Sequence, residues 1–100
     1  MDIRSILDSC RGFQWDKGNS LKSWLKHGVT QTESEQVFFN EPLLLFEDKK
    51  HSEYEDRFLP LGMTDKERCL VVAFTVRGQY IRIISARNMN KRERDVYEKI

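Results

Sequence analysis

The stretch LVVAFTVRGQYIRIISAR, residues 70–87, decides the fold of this chain. Two runs rich in β-branched and aromatic residues are separated by Gly78, and this composition is typical of two strands joined by a tight turn. We therefore predict an antiparallel hairpin that pairs residues 70–76 with residues 79–86. The first arm is almost wholly apolar, so we expect it to be an inner strand covered on both faces.

The second arm of the hairpin carries charge on one face. Ile81 and Ile83 share a face of the predicted strand, while Arg82 shares the other face with Tyr80 and Ile84. An arginine inside a strand is seldom there for packing, and its planar fork of donors suits phosphate and carboxylate. Three arginines on this hairpin indicate an anion as a partner: Arg77, Arg82 and Arg87.

Length and composition limit the class of protein. We expect the 100 residues to form one domain, 1–100, whose core needs no metal and no disulfide. No apolar run reaches the roughly 20 residues of a membrane span, and the amino terminus lacks a signal-peptide core. The two cysteines, Cys10 and Cys69, are far apart and lack CxxC spacing, which predicts reduced thiols in a cytoplasmic protein. A structural zinc site is not expected, because its ligand pairs are missing.

The net charge of +1 conceals an uneven distribution. Residues 1–56 contain seven Lys and Arg against eleven Asp and Glu, whereas residues 57–100 contain ten against five. This asymmetry indicates a polyanion at one face and a second partner elsewhere, or else two halves that neutralise each other in the fold. Charge alone leaves both interpretations open.

Helical patterns precede the hairpin. The spacing of the apolar residues predicts a short helix over residues 2–10, and residues 13–15 alternate like a brief edge strand. Ser20 is the predicted N-cap of a second helix that ends at Gly28, and its inward stripe is predicted to be Leu21, Trp24 and Leu25. Thr30 and Glu33 have the spacing of a capping box that begins a third helix.

The remaining segments complete an α+β prediction. The third helix is expected to turn Val37 and Phe38 inward and to end at Glu41-Pro42, and residues 43–46 are predicted to form a short buried strand. Residues 57–63 predict another strand, in which Pro60 indicates an edge position or a bulge. A last helix capped by Asn90 and Glu93 is expected to pack through Val96, Tyr97 and Ile100. The predicted fold is a small, largely antiparallel sheet flanked by helices.

The order and spacing of several short motifs resemble the BrnT family of toxins over about residues 12–98. Single tripeptides such as Lys-His-Gly are weak signals, but the complete series is specific. The matching residues are Phe13-x-Trp15-Asp16, Gly18-Asn19, Trp24-x-Lys26-His27-Gly28-Val29, Glu41-Pro42, His51-Ser52-Glu53-x-x-x-Arg57, Gly62, Phe74-Thr75-x-Arg77, Ile81-Arg82-Ile83-Ile84-Ser85-Ala86-Arg87 and Glu93-Arg94-x-x-x-Tyr97-Glu98.

The resemblance implies a RelE-like ribonuclease toxin of a type II toxin–antitoxin system. Such a toxin cleaves RNA, blocks translation in the cytoplasm and is neutralised by a BrnA-like antitoxin with a ribbon-helix-helix element. The implied assembly is a toxin–antitoxin heterotetramer that reaches operator DNA only through the antitoxin, with no membrane association. Ser23 departs from the family, where Asn is usual. Residues 1–11 extend beyond the resemblance and are expected to form a short helix.

Metal-free RNA cleavage by the 2′-hydroxyl needs a base, an acid and cations for the phosphorane. The predicted catalytic residues are His51, Glu53, Arg57, Arg82, Lys26 and His27, with Arg77 and Arg87 binding substrate. No metal or cofactor is expected, because the chain lacks clustered carboxylates suited to a two-metal nuclease. A catalytically inert nucleic-acid-binding or antitoxin-binding module in operon autoregulation is the alternative function.

Each of these residues also has a structural interpretation. Lys26 and His27 lie where cations stabilise a helix C-terminus, and His51 and Glu53 lie in a polar loop that solvates such side chains. Arg87 could hold the last helix through Glu93 or Glu98. Arg57 and Arg82 are harder to explain in this way, and we predict that they border one phosphate-sized pocket with His51 and Glu53.

Overall fold

The predicted hairpin forms the centre of a five-stranded sheet. The computed structural model describes residues 3–51 and 55–99, and for His51 its backbone alone. The strands are β1 Gly12–Gln14, β2 Arg57–Phe58, β3 Leu61–Met63, β4 Cys69–Arg77 and β5 Tyr80–Asn88. The helices are α1 Ile3–Asp8, α2 Lys22–His27, α3 Gln31–Gln36 and α4 Lys91–Glu98, with a 3-10 turn at Lys49–His51.

The sheet is mixed and mostly antiparallel. Its order is β1-β5-β4-β2, and β3 pairs with β4 beside β2. Only β1 runs parallel to its neighbour β5 within this sheet, and the other pairs are antiparallel. β4 is therefore the inner strand that its apolar sequence predicts, and the α+β fold class is confirmed.

The two faces of the sheet have different cover. Leu70, Val72 and Phe74 project from one face, which we call the core face, and pack in the main core with Ile81 and Ile83. The partly buried Ile3, Leu7, Cys10 and Phe38 pack against this core, so α1 and the segment after α3 cover it. The opposite face bears Val71, which packs with Tyr97 of α4.

A bulge in β5 shifts its alternation. Ala73 pairs with Ser85 and Phe74 pairs with Ile83, so Ile84 is the extra residue on β5. In a regular strand Ser85 would follow Ile83 into the core, but the bulge gives that place to the fully buried Ala86.

Pro60 divides the predicted strand 57–63 into β2 and β3. The pairs on both sides of it keep one register against β4, so the proline interrupts the strand without displacing it. Its carbonyl still accepts from the Val72 N–H at 3.2 Å, whereas its own nitrogen has no hydrogen to donate. Pro60 is buried beside β4 instead of lying at an exposed position.

The predicted inward stripe of α2 is wrong. Leu21, Trp24 and Leu25 are 61%, 54% and 78% exposed. The helix instead turns the buried Ser23 toward the sheet, where its Oγ accepts the Ala86 N–H at 2.7 Å. Ser20 does not cap α2, because the N-cap is Leu21 and no side chain bonds there.

Just before α2, buried Asn19 forms hydrogen bonds with β1 and β5. Its Nδ2 donates to the carbonyl oxygens of Ile83 at 2.7 Å and Gln14 at 3.0 Å, and its Oδ1 accepts the Asp16 N–H at 2.8 Å. Asn19 and Ser23 thus provide polar partners along β5 where β1 has ended. α2 docks through these hydrogen bonds, so its apolar side is left outward.

The remaining predictions of where helices and strands begin and end are confirmed in part. Both capping boxes, Thr30 with Glu33 and Asn90 with Glu93, are confirmed. The third helix ends at Gln36, well before Pro42. Residues 43–46 form no regular strand; Leu44 makes a single bridge to Leu61.

The packing of α4 is partly as predicted. Tyr97 is buried and its hydroxyl donates to the Pro42 carbonyl at 2.6 Å, while Val96 stays 45% exposed. Ile100 lies outside the described residues. In the part of the chain that the structure covers, no helix has the length and apolar character to span a bilayer.

Candidate functional site

One row of side chains crosses four strands on the face opposite the core. Residues paired in register lie side by side on the same face of a sheet. Gln14 pairs with Arg82, Arg82 with Thr75, and Thr75 with Arg57. We call these four residues, Gln14, Arg82, Thr75 and Arg57, the arginine row. The two strand arginines predicted to share a site therefore lie on one face, with only Thr75 between them.

The Arg82 guanidinium is held from the β1 side. Its Nη1 and Nη2 donate to the two carboxylate oxygens of Asp16 at 2.7 and 3.0 Å, and Nη1 also reaches Gln14 Oε1 at 3.4 Å. The Arg82 side chain is only 13% exposed, whereas Asp16 is 54% exposed. The hydrogen bond from Arg82 lowers the pKa of Asp16. Among the described residues, Asp16 and Gln14 are the acceptors of Arg82. Both accept from its Nη atoms, and neither accepts from its Nε.

Gly18 lies against this ion pair. Its N–H donates to Asp16 Oδ1 at 2.8 Å. A Cβ at this position would lie 3.0 Å from Arg82 Nη2 and 3.1 Å from Asp16 Oδ1, closer than most such contacts in proteins. The absence of a side chain at Gly18 therefore lets the backbone approach the charged pair.

Arg77, with its partner Glu55, extends the positive surface beyond the arginine row. It lies on β4 two residues beyond Thr75 and so shares its face. Its Nε and Nη2 donate to the carboxylate of Glu55, both at 3.2 Å. This hydrogen bond lowers the pKa of Glu55, and the charges of Arg57 and Arg82 act in the same direction. Three arginines therefore share one electrostatic field with two ionised carboxylates.

The predicted proton-transfer residues come immediately before this cluster in the chain. His51 ends the 3-10 turn at Lys49–His51, and only its backbone is described. Glu53 lies outside the described residues. Glu55, two residues later, is bonded to Arg77, so the described chain resumes at the arginine surface. The roles of His51 and Glu53 stay predictions.

Lys26 and His27 lie toward the other end of β5. The His27 carbonyl accepts from Arg68 Nη2 at 3.2 Å, and Arg68 Nε donates to Asn88 at 2.8 Å. Asn88 is six residues beyond Arg82, about 20 Å along a strand. The structure therefore does not bring the Lys26–His27 turn to the arginine row.

Arg87 contacts a helix. Its Nη1 and Nη2 donate to the Glu93 carboxylate at 2.8 and 2.9 Å, and Nη1 also reaches the Asn88 carbonyl at 3.2 Å. This is the structural interpretation that the sequence offered for Arg87. Its predicted contact with substrate stays a prediction.

Several residues of this surface were not singled out from the sequence. Asp16, Gln14 and Glu55 were not predicted to contact the strand arginines. Asp16 and Gly18 belong to the motifs that carry the family resemblance, which is a usable signal. Gln14 and Glu55 become visible only with the register of the sheet.

A cavity beside α1 does not include this surface. It has a volume of about 500 Å³ and is lined by Ile3, Arg4, Ile6, Leu45, Glu47, Asp56 and Phe58. None of the predicted site residues lines it. Groups of three or more potential metal ligands were not found among the described residues.

Comparison with known proteins identifies the family. The family described as "Ribonuclease toxin, BrnT, of type II toxin-antitoxin system" matches residues 15–93. The match includes both strands of the hairpin, α2, α3 and all three arginines of the candidate surface. A search of curated proteins gave no match. The chain therefore belongs to the BrnT family of ribonuclease toxins of type II toxin–antitoxin systems.

Proposed function

We propose that this chain is a metal-independent endoribonuclease that acts in the cytoplasm, blocks translation by cleaving RNA and is neutralised by a BrnA-like ribbon-helix-helix antitoxin in a heterotetramer. One observation carries the proposal: Arg82 and Arg57 lie in one row across the sheet, with Arg77 beside them. Donors fixed on strands are held more accurately than donors on loops, which is what stabilisation of a transition state requires.

The proposed reaction is an internal displacement at phosphorus. The 2′-oxygen attacks the adjacent phosphate while a base removes its proton, and the bond to the 5′-oxygen breaks as an acid protonates it. The products are a 2′,3′-cyclic phosphate and a 5′-hydroxyl. The phosphorane between them carries extra negative charge, and Arg82 and Arg57 are the proposed donors to its oxygens.

The paired carboxylates of the site are poor candidates for proton transfer. Hydrogen bonds from Arg82 and Arg77 lower the pKa values of Asp16 and Glu55, so both stay ionised near neutral pH and are weak bases. Their proposed role is to orient the two arginines. Proton transfer is assigned instead to His51 and Glu53, the two predicted proton-transfer residues that come just before this surface in the chain.

The geometry of Arg82 fits the proposed role of a donor to the phosphorane oxygens. Asp16 bonds Nη1 and Nη2, and no described residue bonds Nε, so the edge formed by Nε and Nη2 is the proposed donor pair for two phosphate oxygens. Lowered carboxylate pKa values and oriented guanidinium groups are also what a static ion-pair network produces. This favours the alternative of an inert binding module, because Arg77 and Arg82 already have carboxylate partners.

Cleavage of a short RNA in EDTA separates the two functions. We expect the purified chain to turn over RNA and to leave cyclic-phosphate ends, and we expect Arg57→Ala, Arg82→Ala and Glu53→Gln to slow this by on the order of 10²-fold. Arg94→Ala is the matched control, because Arg94 is exposed on α4. RNA that is bound but left intact by the unmodified chain would establish the inert module.

A further inference from the structure

The outer side of α2 is an apolar surface without cover in the described structure. Leu21, Trp24 and Leu25 are all more than half exposed. Positions 21, 24 and 25 have the spacing of one helix face, so the three side chains form a single patch. Scattered exposed leucines are ordinary, but a helix that turns its whole apolar face to water indicates a partner.

The reason for this orientation is polar docking. Ser23, on the opposite side of α2, accepts the Ala86 N–H at 2.7 Å, and Arg68 binds the His27 and Gly28 carbonyls at the end of the helix. These contacts fix α2 on the sheet without its apolar residues. The patch is thus presented by a held helix, which reduces the entropic cost of binding to it.

Charge beside the patch indicates the chemistry of its partner. Lys22 and Lys26 are exposed along one flank of the patch, since helix positions three and four apart are neighbours. α2 contains no acidic residue. A complementary surface would therefore bring apolar side chains with carboxylates along one side of them.

We infer that this face of α2 anchors an amphipathic, acidic segment of the antitoxin, at a site separate from the arginine row. The inference rests on membership of a toxin–antitoxin family and on the proposed neutralisation. Two leucines and a tryptophan suit a peptide, in which aromatic and aliphatic anchors dominate binding. Two leucines offer little to an RNA base.

A second copy of the chain fits this face less well. A symmetric pairing of α2 with α2 would supply no carboxylate from the helix for the lysines. The helix is also only about 9 Å long, so its patch alone falls short of the roughly 800 Å² per partner of a standard interface. An antitoxin segment continues along the surface beyond the helix.

The test uses the full chain and the antitoxin encoded beside its gene. We expect Trp24→Ala and Leu25→Asp to weaken the complex by at least about 30-fold. Val96→Asp is the matched control on α4, because Val96 is also an exposed apolar helix residue, and we expect its affinity to stay within about twofold. Lys22→Glu should weaken the complex most at low salt, with Lys91→Glu as its control.

RNA cleavage by each free variant completes the design. Weakened antitoxin binding with unchanged cleavage supports the inference. Equal affinities of all variants would overturn it, as would a loss of cleavage with the antitoxin still bound, which would make the face an RNA surface. Chain dimers that Leu25→Asp dissociates would assign the face to a second copy and also overturn the inference. If the unmodified chain leaves RNA intact yet binds its antitoxin through α2, the inference stands and the proposed function fails.

Discussion

Two arginines of β5 form the same kind of ion pair, but the two pairs support different parts of the structure. Arg82 and Arg87 each bond both oxygens of one carboxylate, Asp16 for the first and Glu93 for the second. Asp16 lies in the loop after β1 and is 54% exposed, whereas Glu93 is 22% exposed. Glu93 also accepts the Asn90 N–H in the capping box of α4.

The difference lies in what else the carboxylate supports. Loss of the Glu93 contact would free a helix cap and loosen α4 from the sheet, so we expect Arg87 to serve stability. Besides Arg82, Asp16 accepts the Gly18 N–H within its own exposed loop, so loss of the Arg82–Asp16 pair would free no helix. The number of hydrogen bonds at an arginine therefore does not tell whether it serves stability or chemistry, but the other contacts of its partner do.

Replacement of Arg82 should have the largest effect on activity. We expect Arg82→Ala to lower the rate of RNA cleavage by about 10²–10³-fold, because it removes a positioned donor to the phosphorane. The melting temperature should change little, since solvent replaces the partner of exposed Asp16. Arg82→Lys should recover only part of the rate, because lysine lacks the two-donor edge. A large fall in melting temperature that accounts for the lost rate would make Arg82 resemble Arg87.

Gly18→Ala tests the placement of Arg82 without removing its charge. The new Cβ would lie 3.0 Å from Arg82 Nη2, so the guanidinium must shift, and we expect cleavage to slow by about tenfold with the binding of RNA less affected. Gly12→Ala is the control, since its Cβ would meet only Tyr80, at 4.0 Å. Equal rates for both variants would show that the position of Arg82 is not critical.

The Arg87 pair should affect stability instead. Glu93→Gln removes the charge that Arg87 contacts, and we expect a loss of about 1 kcal/mol in the free energy of unfolding. For a domain of this size that corresponds to a fall in melting temperature of about 4–8 °C. Glu98→Gln at the exposed end of α4 is the control. Cleavage by the folded Glu93→Gln variant should stay normal, and its loss would move Arg87 into the active surface.

Low pH should weaken the Arg87–Glu93 pair and so lower the free energy of unfolding, by less than the loss of the pair does. The hydrogen bond from Arg87 lowers the pKa of Glu93 below its ordinary value near 4.3. The pair therefore stabilises the fold fully above the unfolded pKa, and this contribution is lost as the pH falls through the folded pKa. The gap in unfolding free energy between the unmodified chain and Glu93→Gln should be constant from pH 7 to about pH 5 and shrink below it. A gap that is independent of pH would contradict the ionic role of Glu93.

The hairpin and the two capping boxes were predictable because local sequence determines them. Two apolar runs around Gly78 can form little else, and each capping box needs only residues three positions apart. That Ile81 and Ile83 share a face followed from alternation alone. These features require no knowledge of which distant segments meet.

The orientation of α2 and the composition of the site were beyond such reasoning. A helical period gives the apolar face of α2 but not whether that face points inward, and Ser23 decided this by bonding a strand 63 residues later in the chain. The arginine row likewise depends on three strand registers at once. Residues 43–46 were apolar enough for a strand, but no pattern predicted the irregular pairing that they make.

The extra residue in β5 decides which side of the sheet each arginine serves. Arg82 and Arg87 are five positions apart, an odd number, which in an unbroken strand would send their side chains in opposite directions. With Ile84 inserted into the count, both emerge on the side away from the core. Ion pairs and candidate chemistry are thereby kept apart from the core face, against which α1 packs. A toxin of 100 residues can thus vary its charged surface with little effect on its hydrophobic interior.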